Sequence, residues 1–272
     1  MSNRLVKQII IAFIFFSILA GIGFLIYYFN RTIPSCDDGI LNQSEERIDC
    51  GGPCAPCQSI NTEDLEVLLV KAVSAQDSFY DLIVQIRNPN KNYGSGRVPY
   101  RFRLNDVEKD LTLEFSGLTF ILPNQSKYLI ETKVEFSGQA PKIEFSLGEV
   151  EWQKLEDYQP PQLIVQQKEY RLLDGDQLGS SQARGVLVNK SNFGFEKINI
   201  DVLLLDSFQN ILAVNTTEMK TLLAGQERDF FINWTGEIPG EVASVEIEAE
   251  TDIFDSSNYL SPGGEPGRFQ EY

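Results

Sequence analysis

The sequence predicts a mainly β protein: two tandem β-sandwich domains behind one N-terminal transmembrane helix and a short disulfide-rich module. Three observations carry this expectation. Ile9 to Phe29, "IIIAFIFFSILAGIGFLIYYF", is a run of 21 residues without a charge; all four cysteines fall between Cys36 and Cys57; and most of the remainder is a succession of short runs rich in Val, Ile, Leu, Phe and Tyr, divided by Asn, Pro, Gly and Asp. Runs of that kind, separated by turn residues and free of a competing helical period, read as strands.

At about 1.5 Å of rise per residue the apolar run makes a helix about 31 Å long, matching a hydrocarbon core of about 30 Å. A cleaved export signal is the competing reading, but its apolar region is about 7 to 15 residues long and ends at small residues. Here bulky "FLIYYFNR" stands where cleavage would fall, and Cys36 follows Pro34 and Ser35 in place of the Leu-small-small lead of a lipidation site. Arg4, Lys7 and the terminal amine precede the helix, and only Arg31 follows it closely. The positive-inside bias therefore places the N-terminus in the cytoplasm and everything after Arg31 outside the cell membrane. Residues 1–31 are read as a cytoplasmic stub and membrane helix. No acidic residue precedes position 32, so the exported part holds all 39 Asp and Glu of a chain with net charge −16. Such a surface repels nucleic acid, which binds through Lys and Arg, and helps to keep an exported domain soluble.

Residues 32–58 form the cysteine module. Outside the cell, an even number of clustered cysteines is most simply a disulfide framework, and Cys36, Cys50, Cys54 and Cys57 allow three pairings. Zinc competes through the C-x-x-C spacing of Cys54 and Cys57. Against it, Cys36 and Cys50 form no second C-x-x-C, and the chain has no histidine. A redox-active pair would need a helix start in a βαβ setting, which Pro53 and Pro56 do not offer. The intervening Asp37, Asp38, Asn42, Glu45 and Asp49 are hard oxygen donors at short spacing, the kind calcium accepts in loose geometry. They do not follow the alternation of an EF-hand, and the competing reading is a solvated turn whose Asp and Asn side chains cap their own backbone. No cofactor is expected unless this loop holds calcium. The stretch resembles a cysteine module of the form C-x-DGxxNxxExxxDCGGxCxxC seen in exported and surface-attached bacterial proteins, matched here by Cys36, Asp38, Gly39, Asn42, Glu45, Asp49, Cys50, Gly51, Gly52, Cys54 and Cys57. That resemblance supports disulfides and implies nothing about activity.

Beyond the connector Gln58–Asp64 the chain matches itself at an offset of about 100 residues. Asn88 meets Asn189, Asp106 meets Asp206, Leu122 meets Leu223 and Gln125 meets Gln226. Two domains follow, 65–157 and 162–254, joined by "DYQPPQ". Seven or so short strands in about 95 residues suggest a sandwich whose sheets bury alternating apolar residues. In "SVEIEAE", Val245, Ile247 and Ala249 are expected to face inward and Glu246, Glu248 and Glu250 to face water, while Trp152, Trp234 and the Phe residues are expected in the core. Asn88, Asn189, Asp106 and Asp206 stand at turns and strand ends, where their side chains satisfy loose backbone groups. The repeated pieces resemble the β-sandwich modules called FxLyD, akin to immunoglobulin-like sandwiches. The second copy carries Gly185, Leu187 and Asn189, then Val202, Leu204, Leu205 and Asp206, then Leu222, Gly225 and Gln226; the first carries Phe102, Leu104, Asn105 and Asp106. The resemblance implies exported binding or spacing roles and transfers no catalytic residue. Residues 255–272, polar and rich in Gly and Pro, read as a flexible tail.

Without histidine, Ser-His-Asp and Cys-His chemistry are absent. An enzyme would need a carboxylate pair or a Ser-Lys arrangement, and "YGSG", Tyr93 to Gly96, reads as a hairpin loop and not a phosphate cradle. The expected function is that of a non-catalytic, membrane-anchored envelope protein whose sandwiches bind or space another protein or envelope component, with the loops Asn88–Gly96 and Asn189–Gly194 as contact points. A calcium-stiffened stalk and an acid-pair hydrolase are the alternatives.

Overall fold

The computed structural model describes residues 3–30, 35–36, 38, 40–45, 50–54, 61–106, 111–137, 141–156, 158–173 and 179–260. They belong to two compact units, Met1–Ile60 and Asn61–Tyr272. In the first, helix α1 (Asn3–Asn30) contains the charge-free run. From Ile10 to Leu25 its side chains, apolar but for Ser17, are exposed, with Phe13 at 73 % and Ile11 at 66 %, so this stretch has no charged face to turn to water. Among the described residues no helix is long and apolar enough to cross a membrane, and the expected span over Ile9–Phe29 is not supported there.

The second unit is built of antiparallel strands that repeat in two sets of seven. The first set is β1 (Glu66–Gln76), β2 (Phe79–Arg87), β3 (Tyr93–Asp106), β4 (Leu111–Ile121), β5 (Ser126–Glu135), β6 (Lys142–Leu147) and β7 (Gln153–Lys154). The second is β8 (Leu163–Leu172), β9 (Ser181–Asn189), β10 (Gly194–Leu205), β11 (Ile211–Leu222), β12 (Glu227–Trp234), β13 (Ser244–Glu250) and β14 (Tyr259–Leu260). Sheets β1-β2-β5 and β4-β3-β6 form one sandwich, with β7 added to β3; sheets β8-β9-β12 and β11-β10-β13 form the other, with β14 added to β10. Strand for strand, the pairing of the first set is that of the second.

Alternation builds each sandwich core. Leu82, Val84 and Ile86 of β2 meet Val98, Phe102 and Leu104 of β3. In the second copy Ala183 and Leu187 of β9 meet Ile200, Val202 and Leu204 of β10, closed by Trp234. Fully burying each large side chain contributes about 1.5–3 kcal/mol. β2 and β10 are also buried on their other face. Val73, Ile83, Leu203, Leu205, Ile211 and Val214 form a third cluster, flanked by Leu69, Tyr128 and Ile130. This seam joins sheet β1-β2-β5 of the first sandwich to sheet β11-β10-β13 of the second, so the unit is four sheets deep with apolar packing in all three interlayer spaces.

The repeated Asn and Gln positions show why the motif recurs. The fully buried Asn88 amide donates to the carbonyls of Tyr93 (2.7 Å) and Leu122 (2.9 Å), and its Oδ1 accepts from the Asn90 N–H (3.0 Å). Asn189 donates to Phe193 (2.8 Å) and Leu222 (3.1 Å) and accepts from the Ser191 N–H (3.0 Å). Gln125 Oε1 accepts from the Leu122 N–H at 2.8 Å, and Gln226 Oε1 from that of Leu223 at 3.0 Å. Each Asn thus ties two loops at one end of its sandwich by supplying donors that buried carbonyls would otherwise lack. Asp206 closes the β10–β11 turn by accepting from the N–H groups of Phe208 and Asn210, both at 2.8 Å.

Three expectations are corrected here. "YGSG" is the start of β3, not a hairpin loop, and its glycines admit a neighbour from the second sandwich: a Cβ on Gly96 would lie 2.5 Å from Cβ of Phe254. Residues 255–260 do not belong to a tail. They form a short 3-10 turn (Ser256–Asn258) and β14, with Asn258 and Leu260 buried, because Gly194 and Phe195 of β10 offer a pairing edge; residues 261–272 lie outside the described residues. Some aromatic residues stay out of the core, Phe208 at 84 % and Phe231 at 65 % exposed, since they stand at a turn or on an outer sheet face.

Replacing Asn189 by Ala leaves the Phe193 and Leu222 carbonyls without their donor. Urea denaturation is expected to show a loss of about 1–3 kcal/mol for each orphaned group. Asn189→Asp, which retains the acceptor but cannot donate, is expected to fall as far.

Candidate functional site

The cysteine module is held by a disulfide between Cys36 and Cys54, with Cα atoms 5.6 Å apart. Cys50 is disulfide-bonded as well, and Cys57 lies outside the described residues. Gly51 and Gly52 both take positive φ, 81° and 57°. A Cβ on Gly52 would come within 2.5 Å of the Ser44 carbonyl oxygen, which accounts for the paired glycines of the motif.

Of the expected calcium ligands, Asp37 and Asp49 lie outside the described residues, whereas Asp38, Asn42 and Glu45 share one loop. Asp38 turns its carboxylate onto that loop. Oδ2 accepts from the Ser35 N–H at 3.0 Å and from the Asn42 amide at 2.8 Å, and Oδ1 from the Ile40 N–H at 2.9 Å. These bonds, that from Ser35 foremost, hold its carboxyl below the usual range. Glu45 Oε2 accepts from the Asn42 N–H at 3.3 Å. The geometry is that of side chains capping their own turn. Cys36, Glu45 and Cys54 also cluster closely enough to suggest a metal centre, but zinc binds thiolate, and both sulfurs are spent in the disulfide.

The charged groups that tertiary structure brings together are elsewhere, along the seam. Glu246, Glu248 and Glu250 of β13 were expected to face water; they are half-buried on the side of sheet β11-β10-β13 that meets the first sandwich. Lys127 of β5, almost fully buried, forms an ion pair with Glu250 Oε1. The same ammonium donates to Thr119 Oγ1 (3.2 Å) and the Phe120 carbonyl (3.3 Å) and lies 4.0 Å from the centre of the Phe120 ring. Gln125 donates to the other oxygen of Glu250 at 3.1 Å, and on the far side of the seam Lys71 donates to the Ile211 carbonyl at 2.9 Å. The two sandwiches are therefore fastened by ammonium groups around an apolar strip.

Beside Glu250, Asp201 of β10 is in register with Glu248 of β13 and only 8 % exposed. Burial, then the charge of Glu250, pushes its carboxyl up to about 6 against an opposing hydrogen bond from Thr216. Glu248 is pushed up to about 7 by burial and by Glu246, Asp201 and Glu250, with Lys127 opposing. Two carboxylates so placed resemble the acid pair of a hydrolase in composition, but they lie against the covering sandwich, where burial, then the charges of Glu246 and Glu248, raise the Tyr128 hydroxyl. In the loops expected as contact points, Asn88, Asn90, Ser95 and Asn189 are buried and serve loop closure, while Lys91, Asn92, Lys190, Asn192 and Phe193 are exposed. A signal for the seam was present in the sequence, namely the continuous apolar runs "LIV" in β2 and "VLLL" in β10, which mark strands covered on both faces.

No family model matches the chain, and no curated protein matches it. Solved structures of Bacillus subtilis oxalate decarboxylase align with it at very low similarity. A deletion variant is 10 % identical over 81 % of this chain and 88 % of that one, with a TM-score of 0.12. The same enzyme at pH 4.6 is 8 % identical over 72 % and 78 %, with a TM-score of 0.11. Superpositions of this quality carry no argument about fold or activity.

The carboxyl values of the seam fix the sign of a pH effect. Asp201 and Glu248 are raised above their ordinary values, so the folded chain keeps protons that the unfolded chain has released. Their contribution to stability is complete below the ordinary carboxylate range and is lost as pH rises through about 6 and about 7. Urea midpoints are expected to fall between pH 5 and pH 8, and Asp201→Asn to flatten that slope.

Proposed function

We propose that this chain is a non-catalytic, membrane-anchored envelope protein. In this reading α1 spans the cell membrane with the N-terminus in the cytoplasm, the cysteine module and the sandwiches stand outside, and the fused sandwiches bind or space another envelope component. The observation that carries the reading is α1 itself. Its run from Ile9 to Phe29 carries no charge, and the Phe and Ile side chains described in it are exposed, which suits hydrocarbon and not water.

Two further features support it. The Cys36–Cys54 disulfide fits an oxidising compartment. The seam makes one body of two modules, as a spacer requires, because two domains on a free linker would not hold a distance. The immunoglobulin-like, FxLyD-like pattern and the bacterial cysteine module point the same way.

Labelling of intact cells with a membrane-impermeant amine reagent tests the placement. Lys197 and Lys220, exposed on the second sandwich, are expected to be modified at full extent without lysis, and Lys7 only after lysis. Protection of Lys197 and Lys220 in intact cells would exclude the proposed topology.

A further inference from the structure

Where the two sandwiches part at one end of the seam, they leave a cleft of about 300 Å³, near the lower size of small-ligand sites, which favour domain interfaces. Its walls are largely apolar: Ala75 and Phe79 from the β1–β2 hairpin, Val214 of β11, Trp234 of β12, and Ile238 and Pro239 from the loop beyond it. Asp81 opens into it from β2. The residue is 5 % exposed, and its Oδ1 accepts from the Lys133 N–H at 2.8 Å. That bond stabilises a bulge in β5, where Lys133 takes a positive φ of 57° opposite a register shift.

Oδ2 of Asp81 has no protein donor among the described residues and is open to the cleft. The Lys133 ammonium, although it lines the cleft, forms no ion pair with Asp81. Burial holds the Asp81 carboxyl above its usual range, with the Lys133 N–H and ammonium offsetting this in part. Three of the other polar groups here are engaged elsewhere: the Asn215 amide donates to the Asn233 carbonyl at 3.2 Å, Asn233 Oδ1 accepts from Gln182 at 2.9 Å, and the Trp234 indole N–H donates to the Val214 carbonyl at 3.2 Å. Glu237, exposed on the same lining, adds a second negative charge.

We propose that this cleft binds an alkylammonium group, its chain lying along the apolar walls and its ammonium donating to Asp81 Oδ2. A buried carboxylate with an unspent oxygen is costly unless a cation completes it, and a short methylene chain ending in an ammonium supplies both halves of the match. Two sources share this chemistry, a free alkylamine and the lysine side chain of a partner protein. The inference concerns the purified protein and stands or falls separately from its placement in the membrane.

The test uses the full chain in detergent micelles with Trp152→Phe, which leaves Trp234 in the cleft wall as the single indole of a chain with two. Emission is followed while n-pentylammonium, Nα-acetyl-lysine methylamide or neutral n-pentanol is added. Saturable binding of pentylammonium is expected, about tenfold or more tighter than pentanol, and is expected to be lost in Asp81→Asn. Asn keeps an acceptor for the Lys133 N–H, and an unchanged melting curve reports that the bulge is intact. Lys133→Met, which removes the competing ammonium and leaves Asp81 untouched, is expected to tighten binding. Matched binding of the lysine derivative assigns the source to a partner's side chain, and its exclusion while pentylammonium binds assigns a free amine. Equal affinity for pentanol, no response to either cation, or cation binding that survives Asp81→Asn would overturn the proposal.

Discussion

Burial of β2 and β10 on both faces is the constraint on which the rest of the second unit depends. A sheet with one wet face needs only alternation, whereas these two strands need apolar residues at neighbouring positions: Leu82 and Ile83, or Leu203 and Leu204, point to opposite sides and are each fully buried. With Ile83 and Leu203 committed to the seam, the sandwiches cannot separate without exposing that strip, and the polar groups at its margins must be satisfied across it. Lys127 and Gln125 therefore complete Glu250, and Gly96 gives way to Phe254. Loss of a buried partner such as Lys127 would leave an uncompensated charge, which is more damaging than the pair is stabilising.

The contact between the copies is heterologous. Sheet β1-β2-β5 of the first meets sheet β11-β10-β13 of the second, the counterpart of β4-β3-β6. Repetition of such a contact generates an open stack. The sheets that would continue it, β4-β3-β6 and β8-β9-β12, instead carry charges on their outer faces. Arg101 and Arg103 reach Glu114 at 3.3 and 2.9 Å, and Arg184 pairs with Glu169. Exposed pairs of this kind add little stability, but covering them would require desolvation.

The same division explains the two kinds of acidic residue. Asp38 and Asp206 sit at solvated turns, take several backbone N–H bonds and are held below the ordinary carboxylate range. Asp201 and Glu248 sit in the seam, lack enough donors and are held above it. Residue type is the same in both cases; water and donors decide the direction.

Much of the fold was legible in the chain itself. The charge-free run of 21 residues, the four clustered cysteines and the offset of about 100 residues between copies are local or periodic properties, and they determined the helix, the disulfide module and the duplicated strand order. The repeated Asn and Gln were legible too, since a turn's loose backbone groups are satisfied by residues close to it in sequence. What only the tertiary structure decided is how the copies meet. The side of β13 that presents Glu246, Glu248 and Glu250 reads as wet from alternation alone, because period two reports which residues share a face and not what lies opposite. That partner, more than 100 residues away in Lys127, is set by the packing of two sheets, as is the unspent oxygen of Asp81, and no local pattern encodes it.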